Sequence, residues 1–173
     1  MAEQPALPSV AEQARRLVDL GVAELSGLSA ADFLAHAEAL TCDDGVERLL
    51  VVDPARVPPS ELAPLMRLPG HDAAEAKEGF VVVDMSDVDR FGPLPEIAVP
   101  DGPLYTVTAP DRGDGYANWS PDEALPEIHA AGRTPLLHEA ITWALQTPRV
   151  VAPNHCYMAI GSRLRKALSL IHI

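Results

Sequence analysis

Asn154, His155 and Cys156 place three chemically versatile side chains together, and Ser162 and Arg163 follow directly after Gly161. A cysteine attacks or ligates as the thiolate, which needs a neighbouring base or cation. Successive residues on a strand point to opposite faces, so His155 does not activate Cys156 directly, whereas Asn154 and Cys156 share a face. This pattern fits a small pocket for an anionic or thiol-reactive ligand, with Asn154, Cys156, Ser162 and Arg163 as its ligand-binding residues. The plainer account is a buried cysteine on a sheet, beside a turn that Ser162 and Arg163 stabilise.

Other constellations fail on spacing. His138-Glu139 begins the zinc-protease pattern of two histidines four residues apart, but Thr142 stands where the second imidazole is required. Asp87 and Asp89 open like a calcium loop, yet Phe91 takes the third ligand position and Ala98 the twelfth, which calls for a bidentate Glu. Asp84, Asp87 and Asp89 therefore read as a solvated acidic turn. No glycine-rich phosphate loop of either common spacing occurs. His129 and His138 lack ligand spacing and are expected in surface or packing roles. Cys42 precedes Asp43 and Asp44, whose charges disfavour a thiolate, and it is expected to be a small buried hydrophobe. No catalytic residue, metal site or cofactor is expected.

The chain around these residues has 173 residues, a size that fits one domain. With 25 acidic residues against 13 basic ones and a net charge of −12, it is a poor match for nucleic acid or an anionic membrane. Its expected partner is an unidentified small molecule or protein. The charge is uneven: residues 140–173 carry +4 and the remainder −16. Met1–Pro5 shows neither the basic nor the apolar part of a secretory signal. Apolar runs such as Leu49–Val52 and Phe80–Val83 fall far short of the ~20 residues of a membrane span. The expected location is the cytoplasm, with both cysteines as free thiols.

Val10, Ala14, Leu17 and Val18 recur at helical spacing up to Gly21, and Ser29 starts a second helix with Phe33, Ala37 and Leu40 buried. Leu49–Val52, the Gly79–Asp84 segment and Leu104–Thr108 read as strands covered on both faces. Ser60 is expected to cap a short helix. Ser120-Pro121-Asp122-Glu123 is a strong helix start, with Ala124, Ile128 and Ala131 on the buried face and Gly132 at the end. Thr134-Pro135 starts another helix, whose stripe is Leu137, Ile141, Ala144 and Leu145. A final strand is expected from His155 to Ile160. The expected fold is α+β: one mixed sheet of three to five strands, two N-terminal helices and a C-terminal helix pair.

Asn118–Pro126, Ala131–Pro135, Asn154–Tyr157 and Gly161–Arg163 resemble an uncharacterised actinobacterial family of unknown function. Leu20-Gly21, Leu28-Ser29, Val57–Pro59 and Val83–Phe91 are similar as well, so the likeness spans about residues 10–165. The resemblance implies no reaction and no catalytic residue. It implies a further aromatic and cysteine-containing segment after Gly161–Arg163, which this chain lacks. The last seven residues, 167–173, resemble a translated sequencing-adapter read-through. The expectation is a single domain over 1–166 that misses its native C-terminal segment and carries a non-native tail. The expected function is a cytosolic, non-catalytic binding or regulatory module. The alternative is a small thiol-dependent enzyme or sensor using Asn154, Cys156 and Arg163.

Overall fold

The computed structural model describes residues 4–68, 77–78, 87–151 and 158–164. Helices α1 (Val10–Asp19), α2 (Val22–Leu25) and α3 (Ala30–Ala39) open the chain. Strand β1 (Arg48–Val52), helix α4 (Pro59–Leu62), and strands β2 (Arg67–Leu68), β3 (Lys77–Glu78), β4 (Phe91–Pro93) and β5 (Leu104–Thr108) follow. Helices α5 (Pro121–Ala131) and α6 (Leu137–Gln146) and strand β6 (Ser162–Leu164) complete the described elements.

Local chemistry sets most helix ends. The Ser9 hydroxyl accepts from the Glu12 N–H while the Glu12 carboxylate reaches back to the Ser9 N–H, and Ser120 and Glu123 repeat the arrangement on α5. Ser29 accepts from the Asp32 N–H at 3.1 Å, as its position predicts. Gly21, at φ +80°, takes the left-handed conformation that lets the chain leave α1 and re-enter α2 within two residues. Helix α4 is capped from a distance instead. Asp89 accepts from both the Ser60 N–H (2.9 Å) and the Ser60 hydroxyl (2.6 Å), so Ser60 lies inside the helix rather than capping it. Pro126 lies within α5 without dividing it, and of the expected stripe only Ala124 is buried.

The fold is α+β, but the expected sheet of three to five strands is not what forms. Among the described residues the strands pair in twos: β1 with β5, β2 with β3, and β4 with β6, all antiparallel. Leu49 lies opposite Val107 and Val51 opposite Tyr105. Flanking bonds from Asp53 N–H to Pro103 O (3.0 Å) and from Ala109 N–H to Glu47 O (2.8 Å) extend this ladder through the odd-numbered residues. The reason for the difference is that helix α1 occupies the outer edge of β1. The buried Gln13 amide donates to Arg48 O at 2.6 Å and accepts from Leu50 N–H at 2.8 Å, satisfying backbone groups that another strand would otherwise pair with.

β1 is covered on both faces, as its apolar run predicts. Leu50 and Val52 join a core with Leu17, Val22, Phe33, Leu62, Ile141 and Leu145, while Leu49 and Val51 pack with Tyr105, Trp143, Ala144 and Val150. β5 differs: Leu104 and Tyr105 are buried but Thr106 and Val107 are half-buried, so this strand is not sandwiched along its length. The expected Gly79–Asp84 strand lies outside the described residues. So does the first half of the His155–Ile160 strand, and the part described, Met158–Ile160, is not extended into a ladder. Every residue of α6 is buried, including His138, Glu139, Thr142 and Gln146. The expected stripe is therefore an all-round buried helix held between the two apolar clusters.

Gly161 closes the packing of β6 on the segment before α6. A Cβ there would meet Pro135 O at 2.7 Å, Thr134 Oγ1 at 2.8 Å and Ile97 Cδ1 at 2.9 Å. Backbone cannot yield as a side-chain tip can, so Gly161→Ala is expected to lower unfolding free energy by about 1–3 kcal/mol in urea titrations. A loss below about 0.5 kcal/mol, the size of an ordinary surface change, would contradict this packing.

Candidate functional site

The residues read as a pocket divide on placement. Asn154 and Cys156 lie outside the described residues, and so does the 167–173 tail. Ser162 and Arg163 are consecutive on β6. The Ser162 hydroxyl accepts from the Leu137 N–H at 2.9 Å and so caps the start of α6 from across the fold. Arg163 donates to the carbonyls of Ile160 (2.6 Å) and Ser162 (3.1 Å). Thr134 does not cap α6; its hydroxyl is buried without a partner, and the Glu139 carboxylate bonds the Leu136 N–H at 2.9 Å instead. Cys42, expected inside, is exposed, because it lies in the polar loop between α3 and β1. His129 is exposed on α5.

The start of α6 carries a closed polar network. The Tyr105 hydroxyl donates to Glu139 Oε1 at 2.9 Å, which leaves its oxygen to accept from His138 Nε2 at 2.6 Å. Arg133 forks onto the same carboxylate, to Oε1 at 2.6 Å and Oε2 at 3.1 Å. With the Leu136 N–H, Glu139 accepts four hydrogen bonds. Burial, reinforced by the Glu139 charge, pushes the Tyr105 phenol well above its ordinary range and keeps it protonated. Burial also pulls His138 down to about 4; the Arg133 charge acts in the same direction, and Glu139 and Asp53 oppose it. Each hydroxyl, imidazole N–H and carboxylate oxygen named here is already engaged. The network thus ties β5 to α6 as a structural joint.

A concave site lies at the other end of α6, a cleft of about 340 Å3. It is lined by Ala6 and Pro8, by Arg16 of α1 and Arg67 of β2, and by Gln146 to Arg149. Arg16 is placed by its Nε, which donates to Leu145 O at 2.6 Å and so satisfies an orphan carbonyl at the end of α6. Gln146 is placed by its Nε2, which donates to Gln13 O at 3.1 Å. Pro148 then stops the helix and turns the chain, so that Arg149 is exposed beside the cleft. Two oxygens of these lining residues, Gln146 Oε1 and Thr147 Oγ1, are sealed from solvent with no hydrogen-bond partner among the described residues. No carboxylate occurs among the described residues that line the cleft.

The sequence did not reveal this site, because it assembles where the ends of α1 and α6 meet. One signal was available. Gln13 falls on the apolar stripe of α1 with Val10, Ala14 and Leu17, and a polar residue at a core position calls for a partner. The absence of any acidic residue after Glu139, where four basic ones occur, was a weaker one.

The depressed His138 pKa sets a pH dependence. The unfolded chain protonates His138 near its ordinary 6.5 and the folded chain only near about 4, so the unfolded state binds more protons between those values. Stability is therefore complete above about pH 6.5 and falls as pH drops towards about 4, by about 3 kcal/mol for this one group. Urea midpoints of wild type and His138→Gln, taken across that window, are expected to converge as pH falls. Parallel curves would show that the imidazole is not held neutral.

No curated protein matches the chain, and no solved structure does. A family model does match, over residues 16–171, which takes in every described element from the second half of α1 onward. On that match the chain belongs to DUF5701, a family of unknown function.

Proposed function

We propose that this protein is a cytoplasmic, non-catalytic binding or regulatory module that takes a small molecule into the cleft at the end of α6. One observation carries the reading. A concavity of about 340 Å3 is lined by Arg16, Arg67 and Arg149 with no carboxylate among its described lining residues, and two of those lining residues, Gln146 and Thr147, hold buried side-chain oxygens with no hydrogen-bond partner among the described residues. The volume lies at the small end of the range for ligand pockets, about 300–1,000 Å3. No described helix is long and apolar enough to cross a membrane. The thiol-dependent alternative around Asn154, Cys156 and Arg163 has less support, since the Ser162 hydroxyl and Arg163 Nη1 are engaged with backbone groups.

The test is ligand-observed NMR with a metabolite library of neutral, cationic and anionic members, using wild type and Ala6→Trp, which fills the cleft from an exposed position. At least one compound is expected to bind wild type one-to-one, to lose about ten-fold or more affinity in Ala6→Trp, and to stay chemically unchanged. A library without a binder, binding indifferent to Ala6→Trp, or turnover of the bound compound would each overturn the proposal.

A further inference from the structure

We infer that the outer edge of β5 is a docking edge for a second copy of this chain, which pairs its own β5 there in antiparallel fashion. The hydrogen bonds from β5 to β1 run through the odd-numbered residues, bounded by Asp53 N–H to Pro103 O at one end and Ala109 N–H to Glu47 O at the other. In an antiparallel pair the intervening residues turn their N–H and C=O groups to the opposite side. On β5 these are Leu104, Thr106 and Thr108, and among the described residues no backbone group of theirs has a partner on that side. The outer edge of β1 poses the same problem and meets it with Gln13. Charges, prolines and bulges are the usual guards of an open edge. The run Leu104-Tyr105-Thr106-Val107-Thr108 has none of them and is rich in the aromatic and β-branched residues that suit strands. Thr106 and Val107 are half-buried and Thr108 is exposed, so solvent reaches the strand.

Self-complementarity selects the occupant. A two-fold axis through Thr106 sets outward groups opposite outward groups: Thr106 faces its own counterpart, and Leu104 faces Thr108 of the second copy. Tyr105 then falls opposite Val107. Thr–Thr and aromatic–β-branched pairs both favour strand pairing. Each copy carries a net charge of −12, so two copies repel at a distance. Along this edge, however, no charged side chain meets another. Asp101 and Asp111 would meet if the strand ran on, but Gly102 at φ +124° and Ala109 at φ +46° break the extended run before either. Pro110 supplies no N–H beyond that point. The contact is isologous and joins the two halves into one sheet in the order β1-β5-β5-β1. A strand edge buries little surface, so the dimer is a weak one.

Sedimentation velocity of the full chain over an about hundred-fold concentration range, at about 0.1 M and about 1 M salt, provides the test. A monomer–dimer equilibrium is expected, tighter at high salt, where the repulsion between copies is screened. Thr106→Pro deletes the N–H at the two-fold axis without removing a bond to β1, and Thr108→Glu sets a carboxylate on the exposed end of the edge. Each is expected to raise the dimer dissociation constant about ten-fold or more. Ala130→Glu, the same charge at an exposed position of α5, is expected to change it by less than about two-fold. Should Thr106→Pro lower the melting temperature, Thr108→Glu decides alone. In a Cys42→Ser, Cys156→Ser background, Thr106→Cys is expected to cross-link on mild oxidation, since the Cα atoms of a hydrogen-bonded antiparallel pair lie about 5.5 Å apart, within disulfide reach. Thr108→Cys, displaced along the strand from its counterpart, is not. A dimer indifferent to Thr108→Glu, or equally weakened by Ala130→Glu, or cross-linking that favours position 108, would overturn the inference. So would a monomer at every concentration, which would leave the edge to a strand from a different protein.

Discussion

The Gln13 side chain is fully buried, and its amide makes three hydrogen bonds to backbone: to Pro8 O at 2.7 Å, to Arg48 O at 2.6 Å and from Leu50 N–H at 2.8 Å. A primary amide has the same donor and acceptor as a peptide unit, so here a helix side chain stands in for a neighbouring strand. This solves a problem that β1 poses. Its residues Leu49–Val52 are buried on both faces, yet among the described residues it has a single partner strand, β5. An edge buried in this way leaves polar backbone groups that water cannot reach, each costing about as much as a lost hydrogen bond. With Gln13 in place the Arg48 carbonyl and the Leu50 N–H on that edge are satisfied, and α1 is fixed in register against β1.

The same residue links the architecture to the cleft. Its backbone carbonyl accepts from Gln146 Nε2 at 3.1 Å, while Arg16, one turn further along α1, donates to Leu145 O at 2.6 Å. These two bonds cross between α1 and α6 in opposite directions and hold the helix ends together through polar groups where apolar packing stops. A concavity remains at the seam, with arginines on both sides. At the other end of α6 the joint is also polar, made by Ser162, Glu139, Arg133, Tyr105 and His138. The helix itself is buried all round. Position therefore comes from hydrogen bonds at its two ends and cohesion from the apolar clusters along its length.

What could be read in the sequence follows the range of the interactions involved. Caps at Ser29 and Ser120, the stop at Gly21 and the strands at Leu49 and Leu104 are set within a few residues, and the structure has them where their chemistry places them. Ser162 shows the opposite case. Read locally it belongs to a turn or a ligand pocket, but its hydroxyl serves the Leu137 N–H, 25 residues away. Asp89 serves Ser60 across 29 residues in the same manner. Helix α6 was legible as a helix but not as the centre of the molecule, because His138, Glu139 and Gln146 mimic a solvated face until their partners are known. The arginines of the cleft come from α1, β2 and the turn after α6, so only the folded chain brings them together.

The central claim is that the Gln13 amide acts as the missing partner of the β1 edge. Native-state hydrogen exchange of the Leu50 amide, which faces Gln13 and not β5, reads this directly. The account predicts that this amide exchanges only through global unfolding in the wild type, and that its protection falls about ten-fold or more in Gln13→Ala relative to amides of the β1–β5 ladder. Rapid exchange of Leu50 in the wild type, or protection that survives Gln13→Ala unchanged, would contradict it.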